Sequence, residues 1–157
     1  MATIVQETGS GSASANSYVT EAELTTYATD RGVTISGTNA VLIIQSMDFL
    51  EAKSFKGNKY TETQALQFPR SNLTIDGWFI DVDEIPTLLK EAQMEIALSI
   101  DGGTNPLDNL TRETKREKVG DLEVEYSSTA RAATYLTAAE TKLNKLVNNL
   151  SSNVYRG

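Results

Sequence analysis

Residues Val19-Thr20-Glu21-Ala22-Glu23-Leu24 fix the start of a helix as tightly as few loops do. Thr20 is a favourable N-cap, and Glu23 three residues later completes a capping box with it. Val19 and Leu24 stand on either side of that cap, where they form a hydrophobic staple. The helix is expected from Glu21 to Asp30, with Gly32 as the left-handed residue that closes it.

The rest of the chain reads as further helices joined by irregular pieces. Val41, Ile44, Met47 and Leu50, widened by Leu42, Ile43 and Phe49, mark a well-buried helix from Asn39 to Ser54. Pro69 pushes Phe68 towards an extended conformation, so an irregular loop is expected to follow, with Trp78, Phe79 and Ile80 inside it. A third helix opens at Ile85-Pro86, with Pro86 at its first position and Asp83 and Glu84 near its positive end. Its apolar face is Ile85, Leu89, Ala92, Ile96 and Ile100, and Asp101-Gly102-Gly103 stops it.

From Thr111 the period changes to two: Leu122, Val124 and Tyr126 alternate with Glu123 and Glu125. With Gly120-Asp121 as a two-residue turn, Val119 faces Leu122, Lys118 faces Glu123 and Arg116 faces Glu125. A last helix starts at Thr137, where Glu140 offers a second capping box, and carries Leu143, Leu146, Val147 and Leu150. The expected fold is mainly α: a small bundle of about four helices with a β-hairpin and extended terminal arms. Within one domain, 1–157, residues 1–16 form a flexible Gly/Ser arm, 20–103 the helical core, 111–127 the hairpin, 137–150 the last helix and 151–157 a tail.

Composition narrows the chemistry. The chain has neither histidine nor cysteine, which removes imidazole bases, thiolate nucleophiles and their metal sites, so no catalytic residue, cofactor or metal is expected. A net charge of −7 argues against a protein built mainly to grip phosphates. No segment approaches the roughly 18–20 apolar residues of a membrane span, and the N-terminus lacks a basic and long apolar leader, so a soluble intracellular protein is expected.

Each polar cluster has a plain structural explanation. Asp76, Asp81, Asp83 and Glu84 lack the spacing of a calcium loop and read as a solvated loop beside a helix start. Arg112, Lys115, Arg116 and Lys118 are interrupted by Glu113 and Glu117, and cross-strand pairing accounts for two of the four. Gly9-Ser10-Gly11-Ser12 is no phosphate loop, because no Gly-Lys-Ser/Thr follows it. Tyr18 and Tyr27 read as core or interface anchors.

Several motifs recur in order. They are Ala15-Asn16-Ser17-Tyr18-Val19, Asp30-Arg31-Gly32, Phe55-Lys56-Gly57, Gln64-Ala65-Leu66-Gln67-Phe68-Pro69-Arg70, Ile85-Pro86, and Lys115 through Tyr126. Together they resemble a family of tailed-phage head–tail connector (adaptor, or head-completion) proteins, some labelled DnaT-like single-stranded-DNA-binding proteins. Phe68 stands where that family has Trp before Pro-Arg. The resemblance implies a non-enzymatic virion subunit that forms a homo-oligomeric, twelve-fold ring below the portal protein. Such a ring extends the channel for double-stranded DNA and presents a platform for the tail, after assembly in the host cytoplasm. On that reading Tyr18, Arg70 and Trp78 near the subunit core, and Arg116, Lys118, Glu123, Glu125 and Tyr126 in the hairpin, are the assembly residues. The alternative is a single-stranded-DNA-binding accessory role, in which Trp78, Phe79 and Arg70 contact bases and phosphates.

Overall fold

The computed structural model describes residues 2–104, 106–107, 116–119, 122–125 and 136–148, the stretch from 116 to 125 in its backbone alone. In chain order the elements are α1 (Glu21–Asp30), α2 (Asn39–Glu51), β1 (Asn58–Lys59), β2 (Arg70–Ser71), β3 (Leu73–Ile75), β4 (Trp78–Ile80), α3 (Thr87–Asp101), β5 (Arg116–Val119), β6 (Leu122–Glu125) and α4 (Thr137–Leu143). The fold is helix-rich, and among the described residues the strands pair as β1–β2, β3–β4 and β5–β6, each antiparallel.

Helix α1 forms as its local sequence dictates. The Thr20 hydroxyl accepts from the Glu23 N–H at 3.2 Å, and the Glu23 carboxylate accepts from the Thr20 N–H at 2.6 Å. Val19 and Leu24 are both buried in the smaller of two apolar clusters, with Ile43 and Ala97. At the other end Gly32 has φ +67°, and the Gly32 and Val33 N–H groups reach back to Thr29 and Ala28 at 3.0 and 2.9 Å. This is a complete Schellman closure.

The buried face of α2 is rotated from the expected stripe: Ala40, Ile43, Met47 and Leu50 are inside, while Val41 is exposed. A run of three-residue spacings drifts around a helix at about 100° per residue, which carries Val41 to the side opposite Leu50. The helix also ends at Glu51, before Ser54, because Ser54–Lys56 run alongside the chain's C-terminal part. Lys56 N–H donates to the Leu146 carbonyl at 2.9 Å and Asn148 N–H to that of Ser54 at 2.8 Å.

Two further boundaries move. Pro86 is the flanking residue of α3 (ψ 133°), so the helix begins at Thr87. Helix α4 is capped by Leu136 without a side-chain bond, and it stops at Leu143, ahead of Leu146 and Val147, which are buried outside it. The box expected at Thr137 does not form, since the Glu140 carboxylate is held by Lys53 Nζ at 2.7 Å. Leu150 and the tail 151–157 lie outside the described residues.

The Gly/Ser segment, expected to be a flexible arm, is wrapped around a buried anion. The Glu7 carboxylate accepts from the backbone N–H groups of Gly9 (2.8 Å), Gly11 (3.1 Å) and Ser12 (2.7 Å). Gly9 (φ +110°) lies so close to the Asp83 carbonyl that a Cβ would stand 1.7 Å from it. Tyr18 N–H then donates to Gln93 Oε1 of α3 at 3.0 Å, and Gln93 Nε2 donates to the Ser17 hydroxyl at 3.0 Å.

The larger apolar cluster gathers Tyr18, Leu50, Phe55, Phe68, Leu73, Leu89, Ile96, Leu143 and Leu146. Helix α3 packs against both α2 and α4, with α1 across the α2–α3 side. Among the described residues no helix is long and apolar enough to cross a membrane.

Candidate nucleic-acid interface

Trp78, Phe79 and Ile80 are not in an irregular loop; they form β4 of a tight hairpin. Asp76 (φ +51°) and Gly77 (φ +88°) both take the left-handed conformation that a two-residue I′ turn requires. The register pairs Leu73 with Ile80, Thr74 with Phe79 and Ile75 with Trp78. Leu73 is buried, and Ile75 and Ile80 pack on the larger apolar cluster, so the hairpin is rooted in the core.

Its tip is the opposite of the core. Trp78 is 78% exposed and Phe79 83% exposed, so the expected place of Trp78 near the subunit core is corrected. The core contact on this strand is made by Ile80 instead. At the turn, Lys145 Nζ meets Asp76 Oδ2 at 2.7 Å, and Lys56 Nζ donates to the Lys145 carbonyl at 3.0 Å. One ammonium group, that of Lys145, and two aromatic rings therefore stand at the tip.

Arg70 and Tyr18 lie elsewhere and do structural work. The buried Arg70 guanidinium donates to the carbonyls of Lys56 (2.7 Å), Gln67 (3.1 Å), Phe55 (3.2 Å) and Gly57 (2.8 Å), and to Gln67 Oε1 at 3.0 Å. Tyr18 donates to Glu51 Oε1 at 2.9 Å and accepts from the Phe68 N–H at 3.1 Å. Burial, reinforced by the Glu51 charge, raises the Tyr18 hydroxyl well above its ordinary value. Burial likewise raises the Glu51 carboxyl, against the pull of the Gln67 N–H, the Tyr18 hydroxyl, Lys59 and Arg70. With all its donors engaged in the interior, Arg70 has none to turn towards a phosphate.

In the second hairpin the backbone register pairs Arg116 with Glu125, Lys118 with Glu123 and Val119 with Leu122, as the charge pattern requires. Gly120, Asp121, Tyr126, Arg112 and Lys115 lie outside the described residues.

Other chemistry is sparse. Among the described residues no three carboxylates converge as metal ligands would. Open recesses of about 330 and 320 Å3, one beside Ser99, Gly102 and Leu136, the other beside Thr25, Val33 and Asn39, are lined by no charged side chain. Glu7 was not legible as a functional or structural centre; its one local sign is a glutamate just before alternating glycines.

The exposed aromatic tip sets the geometry beside which the chain's relatives can be read. All of it, residues 1–157, matches the family described as "Putative DnaT-like ssDNA binding protein". The chain belongs to this family. No curated protein and no solved structure matches it. Family membership thus accompanies the expected alternative role, and no match carries the connector description.

Proposed function

We propose that this member of the DnaT-like family binds single-stranded DNA, without catalysis, at the β3–β4 tip. The observation that carries the reading is the pair of exposed rings, Trp78 and Phe79, on a hairpin anchored in the core. Base stacking on an aromatic ring contributes about 1–3 kcal/mol per base and tolerates any sequence. Phosphate attraction adds little, because the chain carries a net charge of −7. Arg31, Lys53, Lys90 and Lys142 are already paired with Glu95, Glu140, Glu23 and Glu91. Binding is therefore modest in affinity and shallow in salt dependence. Lys145 is likewise paired, with Asp76, so with Lys56 as the one contacting cation log K falls with log salt at a slope of about −0.7.

Titration of dT oligonucleotides at physiological salt, followed by Trp78 emission, tests this. Saturable quenching that the Phe79→Ala variant weakens is the expected result. Emission unchanged by the oligonucleotide sinks the proposal.

A second reading, a head–tail connector subunit in a virion neck, draws on the acidic charge and on the same tip. An acidic ring wall repels exiting genome rather than holding it, and exposed Trp and Phe are suited to anchor a protein partner. Portal and tail proteins are the partners this reading requires. Mixing the chain with the portal ring of the same genome and imaging the product decides it: a stoichiometric added ring supports the connector, and an unchanged portal removes it.

A further inference from the structure

Trp78 and Phe79 are adjacent in one strand, so their side chains leave opposite faces of the hairpin. A platform for successive bases of one strand needs its rings on the same face. A strand lying along the outer face meets Phe79 only, while Trp78 projects at the end of the face whose Leu73, Ile75 and Ile80 pack on the core. Both rings are covered at once when the tip stands between two strands.

We propose that the β3–β4 hairpin is a wedge for the junction at which a DNA duplex opens into two single-stranded arms. Trp78 stacks on the first unpaired base of one arm and Phe79 on that of the other. The inference rests on the single-strand reading above and names the form of DNA that the site takes.

The tip is built for such a position. A Cβ on Gly77 would meet nothing within 4 Å, so the turn is open on that side, and Asp76, its other residue, directs a carboxylate to Lys145. The hairpin's base is held by Leu73, Ile75 and Ile80 in the core, and its turn by the Asp76–Lys145 ion pair, with Lys145 in turn bonded by Lys56. Apolar side chains that enter a base stack must resist being pushed aside, and a hairpin rooted in the core does so. No covalent step is involved.

Trp78 is the sole tryptophan of the chain, so its emission reports this tip and nothing else. The whole protein is titrated, at one salt concentration, with dT single strands, a blunt duplex, and a short duplex bearing two non-complementary dT arms. The expected order is fork, then single strand, then blunt duplex. The fork should bind about tenfold tighter than the single strand, equivalent to 1.4 kcal/mol. Phe79→Ala should abolish that preference, bringing the fork down to the variant's own affinity for the single strand. Its thermal midpoint should match the wild type, because the ring is 83% exposed.

Equal affinity for fork and single strand overturns the wedge and leaves the single-strand reading standing. A fork preference that survives Phe79→Ala also overturns it. No binding to any of the three overturns both readings. A Trp78 shift that depends on protein concentration without DNA assigns the tip to self-association and overturns the wedge.

Discussion

The cradle around Arg70 and the tip of the β3–β4 hairpin are close in sequence and opposite in character. In the cradle every polar group has a partner: Arg70 reaches four carbonyls, Tyr18 bridges Glu51 and the Phe68 N–H, and Phe68 lies edge-on to Tyr18 and Phe55. At the tip, Trp78 and Phe79 present large apolar surfaces to water. The comparison separates two uses of the same residue types. Arg and Tyr, the favoured residues of binding surfaces, hold the domain together here. The two most exposed aromatics among the described residues contribute little to the fold and are left available for recognition.

That contrast can be broken by substitution. Arg70→Ala should lower stability most, by about 3–5 kcal/mol in urea unfolding, since four carbonyls lose their donors at once. Arg70→Lys should recover only part of it, because an ammonium cannot reproduce the guanidinium fork. Glu7→Ala should cost about 2–4 kcal/mol and open the Gly9–Ser14 segment to proteolysis, as three backbone N–H groups lose one shared acceptor. Tyr18→Phe should cost about 1–3 kcal/mol by the same measurement.

A smaller effect depends on pH. Burial raises the Glu51 carboxyl in the folded chain, while the unfolded chain releases the same proton at the ordinary value. The stability tied to protonated Glu51 is complete below that ordinary value and is lost as pH climbs through the higher folded one. Glu51→Gln does not titrate there, so it should gain on the wild type as pH rises through this window. A constant difference between the two across the window would contradict the assignment. Smallest of all, Trp78→Ala should change stability by no more than about 0.5 kcal/mol while removing the DNA response. A large loss of stability would mean that the tip belongs with the cradle after all.

What could be read in the sequence followed the range of the interaction. The Thr20–Glu23 box, the Val19–Leu24 staple and the Gly32 closure are local, and all form where the residues dictate. The β5–β6 register follows from alternating charges on neighbouring strands. Glu140 shows the converse: its capping role was plausible locally, yet Lys53, far along the chain, takes the carboxylate. The Asp76-Gly77 pair between Leu73-Thr74-Ile75 and Trp78-Phe79-Ile80 is itself a strong hairpin sign, but Pro69 shortly before drew the reading towards a loop. Nothing local shows that Trp78 stays in water while Leu73 is buried, because that division depends on where the hairpin packs on the larger apolar cluster.

The Glu7 wrap has a consequence for the order in which the domain is completed. The segment that follows it is fixed from far along the chain: Tyr18 and Ser17 dock on Gln93, 75 and 76 residues on. Asn148 behaves alike, closing on Ser54 across 94 residues. Helices α1 to α3 can form from nearby sequence, but the segments at Ser17 and Asn148 are held by distant contacts that carry a large loop-closure entropy. These two segments should therefore be the last of the domain to gain protection in pulsed hydrogen exchange during refolding.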